Sequence, residues 1–259
     1  MNVKSLYDLS GRIAIVTGAS RGLGYGIAEA LGELGAGVAL VARKPAELEH
    51  ARDTLRAAGI EAEAFPADIS RQDGIAPLVD AIFAHFGRID ILVNNAAASW
   101  GEPAESHSID GWRKVMNVNV EAVFLLTQEV GRRAFIPQGS GRIVNVASIG
   151  GLRGNRPEQE AYTLAYNTSK GAVVNFTRAL ATEWGRYGIA VNALCPGFFH
   201  SKLAAGLLDR IGDQITAATP LRRLAEAEDF KGAAAFLCSD ASRHMTGQML
   251  VIDGGFSAC

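Results

Sequence analysis

Short apolar runs and amphipathic stretches alternate along the whole chain. Strand-length runs occupy about residues 12–17, 37–42, 60–66, 90–94, 141–148, 189–194 and 248–253, and most are apolar at successive positions rather than at every second one. Between them, apolar residues recur at three- and four-residue intervals over about 23–34, 45–58, 74–86, 111–135, 165–187 and 229–239, which predicts helices. Glycine and proline punctuate the alternation: Gly18 ends the first run, Pro45 opens a helix, and Pro196-Gly197 closes the sixth run. A strand apolar on both faces must be covered on both faces, so the pattern predicts a parallel sheet of about seven strands with helices on each side. Right-handed crossovers then give a doubly wound α/β sheet that binds ligands at the carboxyl ends of its strands.

Composition adds limits rather than new structure. No linker, low-complexity tract or composition shift divides the 259 residues, so one domain spanning 1–259 is expected. A hydrophobic fraction of 48% with 20% charged residues suits a globular protein with a sizeable core. The formal net charge of −2 gives no reason to expect nucleic acid or an anionic membrane as partner. No apolar run reaches the ~20 residues that span a bilayer, and the first residues lack the basic start and apolar core of a signal peptide. Three widely spaced cysteines, Cys195, Cys238 and Cys259, imply no disulfide framework, so a reducing cytoplasm is the expected location. His50, His85, His107, His200 and His244 show no metal-ligand spacing, and no metal is expected.

Candidate chemistry begins after the first strand, where the chain reads Thr17-Gly18-Ala19-Ser20-Arg21-Gly22-Leu23-Gly24. Glycines allow a tight turn and close approach of a phosphate, and the helix that follows offers amide donors and a favourable dipole. A strand before this turn and a helix after it, in a Rossmann-like frame, favour a dinucleotide site over a mere βα turn. At the end of the second strand stand Arg43 and Lys44, with Arg21 in the glycine turn. Two cations and no carboxylate there favour the 2′-phosphate of NADP over the hydroxyl of NAD. Tyr166 and Lys170 are four residues apart, with Ser148 upstream at the end of an apolar run. On a helix the pair shares a face, so the ammonium can lower the phenol pKa from its usual value of about 10. Such a phenol can give and take a proton near neutral pH.

Together these residues resemble the short-chain dehydrogenase/reductase family over nearly the whole chain. The family's glycine motif matches Thr17 to Gly24, and Asn94-Asn95-Ala96-Ala97 matches its Asn-Asn-Ala-Gly segment with alanine in the glycine position. Asp68-Ile69 looks like the pair that edges the adenine, Pro196-Gly197 like the turn near the nicotinamide, and Ser201 stands where a threonine contacts the carboxamide or diphosphate. The resemblance implies cofactor contacts at Gly18, Ser20, Arg21, Gly22, Leu23, Gly24, Arg43, Asp68, Ile69, Asn95, Ala96, Ala97, Pro196, Gly197, Phe199 and Ser201, shared with Tyr166 and Lys170. It also implies an active-site tetrad of Asn119, Ser148, Tyr166 and Lys170. Asn119 is favoured over Asn117 because Asn119-Val120-Glu121-Ala122-Val123-Phe124 fits the family's spacing, and residues two apart lie on different helix faces.

By this resemblance Tyr166 exchanges a proton with the substrate oxygen while hydride moves to or from the nicotinamide, and Ser148 hydrogen-bonds that oxygen. Lys170 lowers the tyrosine pKa and holds the nicotinamide ribose, and Asn119 holds a water that links Lys170 to solvent. Taken singly, each has a plainer reading: a strand cap, a kinked-helix partner, a core phenol, a solvated lysine. Their order on this frame favours catalysis. The family also implies a homotetramer built through the long helices.

The chain departs from the family pattern between Ser148 and Tyr166, which are 18 residues apart, more than is usual. Residues 150–165 border the expected substrate cleft, where Arg153 and Arg156 either bind a carboxylate or phosphate or are solvated or subunit-contacting. Tyr162 is not a rival to Tyr166, because its +4 partner is Tyr166 itself. About 198–221 resembles a substrate-binding lid, with Phe198 and His200 as candidate pocket residues. Cys195 reads as a buried small residue, and Trp100, Trp112 and Trp184 as packing residues. The expected function is NADP-dependent interconversion of a ketone and a secondary alcohol on a small-molecule substrate. A sugar acid, as in the gluconate 5-dehydrogenase branch, or a 3-oxoacyl thioester, as in the carrier-protein reductase branch, are the expected substrates; a catalytically silent NADP-binding sensor or scaffold is the alternative of another class.

Overall fold

The computed structural model describes residues 2–155, 161–201 and 204–259. Strands β1 (Ile13–Thr17), β2 (Gly37–Ala42), β3 (Ala62–Pro66), β4 (Ile91–Asn94), β5 (Gly141–Val146), β6 (Ile189–Pro196) and β7 (Met249–Ile252) form one sheet. Its order is β3-β2-β1-β4-β5-β6-β7, and every neighbouring pair is parallel. The helices are α1 (Val3–Leu6), α2 (Gly22–Glu33), α3 (Pro45–Ala57), α4 (Ile75–Phe86), α5 (Ile109–Met116), α6 (Ala122–Val130), α7 (Ile136–Gln138), α8 (Leu164–Trp184), α9 (Ala205–Ala218) and α10 (Glu228–Cys238).

Alternate side chains of the central strands enter two different cores. Ala14, Val16, Val38, Leu40, Ile91 and Val93 pack with α2, α3 and α10; Ile15, Ala39, Val41 and Leu92 pack with α4, α6 and α8. This double cover is why these strands are apolar at successive positions. The one alternating stretch, at 60–66, forms β3, which lies at the sheet edge and is only part-buried. β7, at the other edge, is half-buried throughout.

Two segments differ from the sequence expectation. A single helix over 111–135 does not form: α5 passes through a π-helical turn, Asn117–Glu121, into α6, and a second π turn, Gly131–Phe135, precedes α7. Residues 205–218, expected only as part of a lid, form α9, which is broken at Ile211 (φ −134°).

A buried polar chain runs through the half of the sheet that begins at β4. Asn94 Nδ2 donates to Thr127 Oγ1 at 3.0 Å and to Asn145 Oδ1 at 2.9 Å, and Asn145 Nδ2 donates to Thr177 Oγ1 at 3.0 Å. It links β4 and β5 to α6 and α8. Mutual satisfaction avoids the roughly 1–3 kcal/mol that each unpaired buried group would cost.

Candidate active site

A cleft of about 700 Å³ opens over the carboxyl ends of β1 to β6. The chain leaves β1 toward β2 and β3 on one side and returns to β4 on the other, so the loops diverge between β1 and β4. The divergent loops are stitched together. Thr17 Oγ1 accepts from the Asn95 and Ala96 amides at 2.9 and 3.0 Å, and Asn95 Nδ2 donates to Thr17 O at 2.8 Å. That side chain occupies the space beside Gly24, where an added Cβ would lie 2.4 Å from both Asn95 Nδ2 and Gly18 O. The glycine is therefore required by close approach. α2 begins at Gly22, so its unpaired first-turn amides belong to the cleft lining with Gly18, Ser20, Arg21, Leu23 and Gly24.

The corner beyond β2 differs from the sequence expectation of cations without a carboxylate. Glu47, in the first turn of α3, reaches back to accept from Arg21 Nη1 at 2.6 Å and from Lys44 Nζ at 2.7 Å. All three line the cleft beside Arg43, an exposed cation with no ion-pair partner among the described residues. The sequence conceals Glu47 because it lies beyond the strand end, where a ribose-binding carboxylate is sought.

Every expected cofactor residue lines this cleft. Asp68 Oδ1 accepts from Ser70 N at 3.1 Å and from Ser70 Oγ at 2.7 Å, which fixes the turn next to Ile69. Ala96 and Ala97 follow on the β4 loop. At the far end lie Pro196, Gly197, Phe198, Phe199 and Ser201. Phe199 is anchored edge-on to Phe230 at 5.2 Å, and Ser201 Oγ accepts from Ala204 N at 3.2 Å. His200 is exposed and is not among the lining residues, contrary to expectation. Arg156, Lys202 and Leu203 lie outside the described residues.

Ser148, Tyr166 and Lys170 meet in the cleft wall. Ser148 follows β5 and begins a 3-10 turn, Ile149–Gly151, accepting from Gly150 N at 3.0 Å. That turn lies directly on the backbone of α8: a Cβ at Gly151 would stand 2.5 Å from the Lys170 carbonyl carbon. Close contact there brings the serine to the tyrosine despite the lengthened connection. Ser148 hydrogen-bonds the Tyr166 hydroxyl.

The electrostatics correct one expectation. Burial pushes the Tyr166 phenol above its usual value, with the Ser148 hydrogen bond opposing it. Lys170 does not pull the phenol down. Its Nζ donates to Val146 O at 2.6 Å and lies 5.6 Å from the Tyr166 ring centroid. Only 3% exposed and bonded to a neutral carbonyl, Lys170 is itself lowered to about 8 by burial.

Asn119 stands behind these three and does not line the cleft. It is 1% exposed, within the first π turn. Its Oδ1 accepts from Ala98 N at 2.7 Å, and its Nδ2 donates to Ala98 O at 2.9 Å and to Ser169 Oγ at 2.9 Å. Both amide hydrogens are therefore engaged by protein. The wider π turn supplies the inward orientation, a common use of such turns. Asn117 instead lines the cleft and donates to Ser70 O at 3.2 Å.

Several lining residues escaped the sequence reading. Asn155 Nδ2 donates to Thr163 Oγ1 at 2.9 Å, and Asn167 Nδ2 donates to Asn155 Oδ1 at 3.1 Å, which fastens one end of the lengthened segment to α8. Phe256, from beyond β7, packs under Arg153, whose guanidinium lies 5.0 Å over the ring and donates to Phe256 O at 3.4 Å. Neither arrangement has a periodic or motif signal. Cys195 is buried and pushed up to about 11 by burial, so it stays a thiol. Trp100, Trp112 and Trp184 lie outside the cleft lining, as packing residues should. Among the described residues no group of three or more His, Cys, Asp or Glu could hold a metal.

Known proteins resemble this chain over nearly its whole length. The family model described as enoyl-(acyl carrier protein) reductase covers residues 18–257. A gluconate 5-dehydrogenase of Gluconobacter oxydans (strain 621H) is 39% identical over 259 residues, covering 99% of each chain. A rhamnolipids biosynthesis 3-oxoacyl-[acyl-carrier-protein] reductase of Pseudomonas aeruginosa is 37% identical, covering 96% of this chain and 98% of that protein. The structure of a gluconate 5-dehydrogenase from Burkholderia cenocepacia J2315, in complex with NADP and tartrate, superposes with a TM-score of 0.94 at 32% identity, covering 100% of both chains.

Asn119→Leu removes three hydrogen bonds and leaves both backbone groups of Ala98 unpaired. It should destabilise the fold by roughly 2–4 kcal/mol, read as a lower midpoint in urea. An unchanged midpoint would mean that the β4 loop does not depend on Asn119.

Proposed function

The chain belongs to the short-chain dehydrogenase/reductase family, and from that premise we propose that it interconverts a ketone and a secondary alcohol of a sugar acid with NADP. The observation that carries this reading is the common cleft: Ser148, Tyr166 and Lys170 line the same wall-to-wall space as the glycine turn and Arg43. The residues fit NADP, since Gly22, Leu23 and Gly24 in the first turn of α2 line the cleft and Arg43 is a cation with no ion-pair partner among the described residues. When bound, the nicotinamide supplies or accepts the hydride.

The chain's own groups handle the proton and the geometry. In reduction the neutral Tyr166 hydroxyl donates to the carbonyl oxygen, and Ser148 Oγ hydrogen-bonds the same oxygen as negative charge develops. A phenol raised by burial stays protonated through neutral pH. Oxidation needs the phenolate and is favoured by alkali. Lys170 holds the nicotinamide ribose from within the wall. Asn119 acts as a positioning residue, through Ala98 and Ser169.

Asn155, Thr163 and Asn167 give the lining hydroxyl-matching groups, and Arg153 offers a cation for a carboxylate, which favours a polyhydroxylated acid. A 3-oxoacyl thioester is the second reading, supported by the apolar wall of Phe198, Leu207 and Phe256. The segment around 198–221 is the substrate lid in either case. A cytoplasmic homotetramer completes the proposal; Phe124 on α6 is 45% exposed, and no helix among the described residues is long and apolar enough to cross a membrane.

Loss of NADPH absorbance with a panel of keto sugar acids, 3-oxoacyl thioesters and simple ketones tests the activity. Tyr166→Phe should reduce turnover by about 10²–10⁴-fold while leaving NADPH affinity nearly unchanged; retained turnover refutes the acid assignment. Arg43→Ala should weaken NADPH by about tenfold or more and NADH little. Equal losses remove the case for NADP. Lys170 is charged below pH about 8 and neutral above it, so NADPH binding should weaken as pH rises from 7 to 9. A flat titration would show that its charge does not hold the cofactor.

A further inference from the structure

We propose that Glu47 sets how strongly this protein discriminates NADP from NAD, acting as a resident counter-anion in the corner that receives the 2′-phosphate. The inference rests on the NADP reading above. Four charges line that corner of the cleft: Arg21, Arg43, Lys44 and Glu47. Glu47 Oε2 accepts from Arg21 Nη1 at 2.6 Å, while Oε1 accepts from Lys44 Nζ at 2.7 Å. One carboxylate thus spans two cations, as two oxygens of a phosphate could.

This placement has opposite consequences for the two dinucleotides. A 2′-phosphate finds Arg43 without an ion-pair partner among the described residues but meets Arg21 and Lys44 already paired, beside a fixed charge of its own sign. Like charges at such a site oppose binding. A ribose 2′-hydroxyl instead finds a carboxylate able to accept its hydrogen bond, the usual device for NAD. Glu47 therefore weakens NADP binding and supports NAD binding, although it is paired with two cations. The Arg21, Lys44 and Glu47 side chains are 53%, 65% and 36% exposed, so the pairs are weak enough to exchange with a ligand. Glu47 also suits the helix dipole at the start of α3, whose N-cap Lys44 makes no side-chain capping bond. A purely structural helix-start role is the competing account.

Equilibrium binding of NADPH and of NADH to the full chain, followed by calorimetry at low salt, separates the two accounts without recourse to turnover. In Glu47→Gln the ratio of the NADH to the NADPH dissociation constant should rise about fivefold, with tighter NADPH. Raising the salt should shrink this change, because exposed charges are screened. Glu47→Ala should move the ratio the same way, so a folding defect in one variant leaves the other to decide. A ratio that stays put, or moves toward NADH, overturns the proposal even if both variants melt at lower temperature. Arg43→Ala is measured in parallel: if it loses both cofactors equally, the NADP reading itself fails. If it loses NADPH selectively while Glu47→Gln changes nothing, only the role of Glu47 fails.

Discussion

The hydrogen bonds between Thr17 and the Asn95-Ala96 loop are the constraint from which the site is built. A doubly wound sheet necessarily splits its loops between β1 and β4, and a split is useful only when its width is fixed. Thr17 Oγ1 fixes it by accepting from two successive amides, and Asn95 returns a bond to the Thr17 carbonyl. The absence of a side chain at Gly24 follows from that contact. So does the path of the β4 loop to Ala98, which Asn119 grips by both backbone groups. Asn119 then bonds Ser169, whose hydroxyl donates to the Tyr166 carbonyl at 2.7 Å. A continuous chain of polar contacts thus runs from the glycine turn to the helix that carries Tyr166.

The two ends of the cleft treat charge in opposite ways. Lys170 is buried with a neutral carbonyl as its partner, so its protonation lies within reach of ordinary pH and can respond to what binds beside it. At the other end, Arg21, Lys44 and Glu47 stay in contact with water, where ion pairs contribute little and rearrange readily. The first arrangement suits a group that must act in a reaction. The second suits recognition of a ligand that arrives with its own charge.

Much of this was legible in the residues taken in order. Apolar runs gave the seven strands because strands covered on both faces need side chains of one kind; the glycine turn and the Tyr166–Lys170 pair were readable because local geometry fixes their spacing, and Ser148 through the family resemblance. Other features depended on chain segments far apart. The π turn that holds Asn119 looks like ordinary helix in the sequence, and the partners its side chain reaches, Ala98 and Ser169, lie on distant segments. The lengthened Ser148–Tyr166 connection departs from the family's spacing, and the sequence alone does not show how serine and tyrosine still meet. They meet because Gly151 lets the turn after β5 lie on the α8 backbone.

By itself the sequence determined the doubly wound sheet, the position of the cleft along it and the residues capable of chemistry, because periodicity and short-range spacing act within a few turns of chain. Only the tertiary structure decided their electrical state. Tyr166 and Lys170 share a helix face as expected, yet burial shifts both, opposed by the Ser148 hydrogen bond at Tyr166 and by Cys195 at Lys170 rather than by each other. Glu47 joins the cationic corner for the same reason: a side chain's field depends on distance in space, and residues distant in sequence or on a neighbouring helix turn set that distance.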